Sequence, residues 1–313
     1  MRISTSTGDF SKYVGTIAEK VKCFKETKFK YINFEQTGAN EYLEDNDDGW
    51  RKIAEDAMKA AEYAGVEYVV SHAPCVNPFE KLDTEHYDMC VRAVRRSVEV
   101  CHILGISRIV VHTGWHESFD RDTYYKENKR FYTEFFDLME KYNITVMTEN
   151  VHDWQDKFFV TGTDLREMVD LVDHPLFAAC WDTAHANLSQ RAVADGQYKC
   201  ITDIGDALKG LHISDNLGDT TAHHHSWPFA GIINFDEVIQ ALIDVNYDGY
   251  FNFEASYTLL HSQNLPRYRK SWVHNGVEVK TLLNPSVELK SRAVDLLYDI
   301  GKYMLEAYNC FEE

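Results

Sequence analysis

Along the chain, short runs rich in β-branched and aromatic residues alternate with longer segments whose apolar residues recur at helical spacing. This is the pattern of repeated βα units. The runs Arg2–Ser6, Tyr31–Glu35, Glu67–His72, Arg108–His112, Ile144–Glu149, Phe177–Asp182, Gly210–Ser214 and Gly249–Glu254 are expected to be strands. Amphipathic helices are expected over Trp50–Ala64, His86–Leu104, Thr123–Tyr142, Asp164–Val172 and Phe235–Val245, with a final one over Val287–Tyr308. In the second of these, Val91, Val94, Val98 and Cys101 share one face. Eight strands, each followed by a crossover segment, is the count of a closed α/β architecture, the (β/α)8 barrel. No Pro/Gly/Ser-rich linker interrupts the 313 residues, so 1–313 are read as one domain. The longest irregular pieces, Asp215–Ile233 and Ala255–Asn284, follow late strands, and in a barrel such loops lie on the catalytic face.

Composition narrows the partners. With 32 Lys+Arg against 50 Asp+Glu, the formal net charge is −18, a balance that opposes binding to a nucleic-acid backbone. Five carboxylates fall within Glu41–Asp48, which reads as a solvated loop. No uninterrupted apolar run reaches the roughly 18 residues of a membrane span, and the N-terminus lacks the apolar region of a signal peptide. The seven cysteines are odd in number, scattered, and form no C-x-x-C pair. That pattern favours reduced thiols in a cytoplasmic protein and argues against a thiolate metal site. A homo-oligomer is left open.

The candidate chemistry lies where each apolar strand gives way to its loop. Strand three ends in Ser71-His72-Ala-Pro, strand four in His112-Thr-Gly, and strand five in Thr148-Glu149-Asn. Strand six ends in Trp181-Asp182-Thr-Ala-His185, strand seven in Leu211-His212-Ile-Ser, and strand eight in Phe253-Glu254-Ala. Each residue alone has an ordinary explanation: a hydrogen-bonded strand-end histidine, or a helix-capping aspartate. Glu149 and Glu254 are harder to account for, because burying an unpaired carboxylate costs several kcal/mol. In a barrel these ends converge on one axis, and a divalent cation among them resolves the repulsion. Three ligand sets can be assembled. Glu149, Asp182, His212 and Glu254 form an oxygen-rich set suited to Mn2+, Co2+ or Mg2+. His72 and His112 with Glu149 form a nitrogen-rich set suited to Zn2+, and His185 with the run His223-His224-His225 forms a third.

These residues resemble the xylose isomerase-like TIM-barrel superfamily, which includes sugar-phosphate isomerases and epimerases, ketose 3-epimerases, inosose dehydratase-like proteins and type IV apurinic endonucleases. The motifs that carry the resemblance are Ser71–Pro74, Val111–Gly114, Thr148–Asn150, Trp181–His185, Leu211–Asn216, His225–Pro228 with Gly231–Asn234, and Phe253–Ala255. Each is short; their order and spacing are specific together. The epimerase branch implies one metal held by Glu149, Asp182, His212 and Glu254, with the two glutamates flanking the substrate as acid and base. The endonuclease branch implies three zinc ions. His72, His112 and Glu149 would take the first, Glu149, Asp182, His212 and Glu254 the second, and His185 with an Asp-x-His motif the third. That last motif reads His223-His-His225 here, with a neutral residue in place of an anion. No basic run matches the DNA-gripping loops of the endonucleases, and Asp215–Asp219 supplies no arginine of the kind characterised ketose epimerases place after the strand-seven histidine.

The expected function is therefore a metal-dependent isomerase or epimerase of a sugar or sugar phosphate, removing a proton α to a metal-bound carbonyl through an enediolate. Glu149 and Glu254 are its catalytic pair. His185, His72, His112, Trp115 and Trp181 are candidate substrate contacts, and Trp154 and Trp227 could also pack against a sugar. The alternatives are a di- or tri-zinc phosphoester hydrolase, a metal-dependent lyase or dehydratase on a sugar derivative, and a non-catalytic sugar-binding barrel.

Overall fold

In a computed structural model of the protein, residues 1–36, 42–43, 48–152, 158–219, 224–262 and 269–313 are described. Among them, eight parallel strands run in the order β7-β6-β5-β4-β3-β2-β1-β8. They are β1 (Ile3–Ser6), β2 (Tyr31–Glu35), β3 (Glu67–His72), β4 (Arg108–Val110), β5 (Thr145–Glu149), β6 (Phe177–Asp182), β7 (Leu208–His212) and β8 (Phe251–Phe253). Just past β7, Ile213 N–H donates to Asn252 O (2.8 Å) and Glu254 N–H to Ile213 O (3.0 Å), so β7 meets β8 and the sheet curls into a barrel. Each expected strand is present, with ends displaced by at most two residues.

Strand alternation divides the side chains into two sets. Val70, Val110, Met147, Ala178 and Cys180 pack together inside the barrel, while Ile109, Val146, Ala179, Trp181, Leu211 and Phe253 join the larger core between strands and helices. Two residues along from the inner set, the same period brings His72, His112, Glu149 and Asp182 to the inner face at the C-terminal rim. Gly210 shows how tightly this floor is filled: a Cβ there would lie 2.8 Å from Met147 Sδ and 3.2 Å from Cys180 Sγ.

The helices surround the sheet. Those expected correspond to α2 (Gly49–Ala64), α3 (Thr84–Leu104), α6 (Gly162–Val172), α10 (Phe235–Asp244) and α11 (Val287–Ala307). The expected Thr123–Tyr142 helix is two, α4 (Arg121–Thr133) and α5 (Phe136–Tyr142). A tighter turn at Glu134 and Phe135 separates them and lets Phe131, Tyr132 and Phe135 all be buried. Four helices were not expected: α1 (Ile17–Cys23), opened by a Thr16–Glu19 capping box, α7 (Thr183–Asn187), α8 (Gln190–Asp195) and α9 (Gln197–Ile204). Within the stretch read as irregular, Trp272–His274 (β9) and Val277–Val279 (β10) form an antiparallel hairpin. Of the acidic run, Glu41 and residues 44–47 lie outside the described residues; Tyr42 is buried rather than solvated, and Leu43 packs against the core. All seven cysteines are free thiols. No helix among the described residues is long and apolar enough to cross a membrane.

Candidate metal centre

Glu149, Asp182, His212 and Glu254 arrive from the ends of β5 to β8, and one ligand atom from each lies within 4.8 Å of the others. His212 Nδ1 is 2.8 Å from Glu149 Oε1 and 3.0 Å from Glu254 Oε2. Octahedral coordination at about 2.1 Å spaces neighbouring donors about 3.0 Å apart, so these separations fit a hard divalent ion. Asp182 supplies the strongest indication. Its Oδ1 accepts the backbone N–H of His185 at 2.6 Å and caps α7, whereas its buried Oδ2 has no hydrogen-bond partner among the described residues. A buried carboxylate oxygen left without a donor costs free energy that a cation would recover.

Glu149 faces two ways. Its Oε1 meets His212 and lies 3.4 Å from His185 Nδ1; its Oε2 lies 3.0 Å from His112 Nε2 and 3.5 Å from His72 Nε2. His72 and His112 bring their Nε2 atoms within 3.1 Å of each other. Backbone carbonyls orient two of the rings. His72 Nδ1 pairs with Ala73 O at 2.7 Å and His185 Nδ1 with Asn150 O at 2.8 Å, so in each neutral ring Nε2 carries the lone pair.

The charges compensate one another. Burial pushes the Glu149 carboxyl up, but His212 and His112 outweigh it and hold it well below the usual range. For Glu254 burial is likewise outweighed by His212 and His225, and the net shift is downward. Burial raises Asp182 despite nearby His185 and His225. Burial pushes His72 down, yet Glu35 and Glu149 lift it to about 9; burial pushes His212 down as well, but Glu149 and Glu254 lift it well above an ordinary histidine. His112, by contrast, is lowered by burial.

His225 stands apart from the four-residue set. Its Nδ1 pairs with Ser214 Oγ at 3.1 Å, and its ring is 5.7 Å from that of His185. His223 and Trp154 lie outside the described residues. Trp115 is exposed at the rim, and Trp227 is partly buried against the core. Trp181 is a correction. One residue before Asp182, it faces the opposite way, is fully buried between strands and helices, and donates its indole N–H to Gln197 Oε1 at 2.8 Å. It presents no face to a substrate.

Three rim residues escaped the sequence reading. Cys75 comes within 4.8 Å of His72 and His112 ligand atoms, a placement that the scattered cysteine spacing did not suggest. Glu35 ends β2 with Oε1 3.8 Å from His72 Nδ1, a position that strand-end inspection could have found. The His152 ring is 5.6 Å from that of His185, and burial lowers its pKa to about 4.

A sequence profile of xylose isomerase-like TIM barrels matches residues 22–272. The chain belongs to this family. An uncharacterised protein of Methanocaldococcus jannaschii is 27% identical over 67% of this chain and 75% of its own length. A probable endonuclease 4 of Methanoculleus marisnigri is 26% identical over 52% of this chain and 61% of its own, and a ketose 3-epimerase of Arthrobacter globiformis 24% identical over 42% and 43%. The chain thus spans less than two thirds of those two relatives. Among solved structures, a D-tagatose 3-epimerase-like protein superposes with a TM-score of 0.70 at 20% identity, covering 98% of this chain and 100% of the other. L-ribulose 3-epimerase gives 0.67 at 15% identity over 98% and 97%. Similarity at that level establishes the shared fold.

Proposed function

We propose that the protein is a metal-dependent isomerase or epimerase acting on a sugar or sugar derivative. The observation that carries this is the placement of two glutamates, Glu149 and Glu254, against one histidine in a four-residue metal set. Binding of an ion alone does not require two carboxylates of such different access: Glu149 is 1% exposed at its side chain, Glu254 22%. The epimerases with the same fold agree in class.

Glu149, Asp182, His212 and Glu254 would hold a divalent ion of the Mn2+, Co2+ or Mg2+ kind. Bound there, it would polarise a substrate carbonyl as a Lewis acid and favour negative charge on its oxygen. One glutamate takes the proton from the carbon next to that carbonyl, and the other returns a proton to the opposite face. His185, fixed by Asn150 O, presents Nε2 to a substrate hydroxyl. Asp182 spends one oxygen on α7 and keeps the other for the centre. Wild-type protein should wash solvent deuterium into a ketose substrate next to its carbonyl. Glu149→Gln and Glu254→Gln should each abolish the exchange; exchange retained in both refutes the two-base scheme.

A second reading, a zinc phosphoester hydrolase, is favoured by the His72 and His112 nitrogens on Glu149 Oε2, which a one-metal epimerase does not use. Relatives named probable endonuclease 4 agree with it. Cleavage of a model phosphodiester without deuterium exchange would support it over the first. A lyase is the first mechanism with a leaving group at the next carbon, and product analysis separates the two.

A further inference from the structure

The seven cysteines look inert in sequence, yet one of them stands beside two metal-type nitrogens. His72 ends β3; Ala73 continues the ladder by donating its N–H to Val110 O (2.9 Å), and Pro74 carries the chain to Cys75 at the exposed mouth. There a Cys75 Sγ, a His72 ring nitrogen and a His112 ring nitrogen all lie within 4.8 Å of one another. A tetrahedral site with bonds near 2.1 Å spaces its donors about 3.4 Å apart. His72 Nε2 is 3.1 Å from His112 Nε2 and 3.5 Å from Glu149 Oε2, and His112 Nε2 is 3.0 Å from Glu149 Oε2. The hydrogen bond from His72 Nδ1 to Ala73 O fixes the ring so that Nε2 is the ligand atom.

We propose that Cys75 is a thiolate ligand of a second metal position, completed by His72, His112 and the outer oxygen of Glu149, and that this position selects a thiophilic divalent ion such as zinc. It rests on the metal-centre reading above through the shared Glu149. The two positions differ in softness: the inner set offers three carboxylates and one imidazole, the outer two imidazoles and one thiolate, with the Glu149 oxygen placed there by its contacts to the two imidazoles. A mixed pair follows, with a hard ion inside and a soft ion at the mouth. Binding at the outer position breaks the Cys75 S–H bond, releases that proton to solvent and forms a metal–sulfur bond; no electrons are transferred.

Cobalt(II) is the probe, because sulfur ligation adds a near-ultraviolet charge-transfer band to its visible d–d spectrum. The full-length metal-free protein, reduced and oxygen-free, is titrated with CoCl2. The wild type should take two equivalents, and one of them should bring the charge-transfer band. Cys75→Ser, at an exposed position, should lose the band, keep the d–d spectrum of the inner site, and bind its second equivalent at least ~10-fold more weakly. Asp182→Asn should do the reverse, keeping the band while the inner equivalent weakens. Cobalt bound by the wild type with no band, or a band that survives in Cys75→Ser, overturns the proposal and leaves the inner centre standing. A protein that binds no cobalt overturns both.

Discussion

Asp182 allows the metal reading to be separated from a purely structural one. Its Oδ1 caps α7 through His185 N–H, and its Oδ2 is buried without a partner. Asparagine can keep the capping oxygen and replaces the other with an NH2 group that cannot ligate. Alanine removes both. Loss of the cap costs about 1 kcal/mol, so Asp182→Ala should be destabilised by that amount in EDTA, and in metal by that amount plus the ion stabilisation it can no longer gain. Asp182→Asn should be as stable as wild type in EDTA, or more so, since one of three mutually repelling carboxylates has become neutral. Metal then inverts the order. At an ion concentration of ~100 times the dissociation constant, wild type gains about 2.7 kcal/mol, about 4 °C of melting temperature for a chain of this size. Asp182→Asn, lacking an anionic donor, should gain almost none of it. The assay is thermal denaturation of the three proteins in EDTA and in MnCl2, with affinities from chelator competition. If Asp182→Asn melts like wild type in EDTA and also binds manganese as tightly as wild type does, the aspartate is a cap and nothing more.

Three other tests reach different parts of the fold. Lys290, fully buried on α11, donates to the carbonyls of Thr258 and Ser256 just after β8 and lies 3.9 Å from Asp9. Lys290→Met should cost about 3–5 kcal/mol in urea denaturation, because it strands the Asp9 charge, and adding Asp9→Asn should recover part of the loss. Gly210→Ala drives a methyl into Met147 and Cys180 and should cost roughly 1–3 kcal/mol; an unchanged melting temperature would mean the barrel floor is looser than its packing indicates. His152 has its folded pKa depressed to about 4 from 6.5, mainly by burial. Its contribution is therefore complete above pH 6.5 and lost as pH falls through about 4; acid titration of metal-free protein should show that loss, and His152→Asn should flatten it.

The barrel was legible because its signals repeat. Eight strand-like runs separated by helical periodicity leave few other architectures, and polar residues ending six consecutive strands share one register. The same alternation should have excluded Trp181: a residue adjacent to an inward Asp182 must face the helices. Helices α7 to α9 were not legible, since at five to eight residues each they are too short to stand on their own periodicity. They are held by neighbours, α9 by α6 and α10. Cys75 was hidden for a different reason. Its partners lie on two strands, and only closure of the barrel brings His112 to the same point as His72-Ala-Pro-Cys75. A search for short-range cysteine spacing cannot find a site assembled across a sheet.

The buried charge at the rim also has a source of compensation in the protein's own histidines. Glu149, Asp182 and Glu254 are carboxylates beneath the rim, and three negative charges together there would be prohibitive without compensation. In the metal-free protein, protons on His212 and His72 provide it, since both rings are lifted above the ordinary histidine range by the carboxylates they face. These are the rings a cation must take over in their neutral form. Uptake of a divalent ion at the inner position therefore displaces the His212 proton, so the site gains one net positive charge rather than two. A site built this way needs no large rearrangement to load. Its affinity should instead depend on pH, rising as the histidines give up their protons. Glu149, with an oxygen toward each ring, couples the two exchanges.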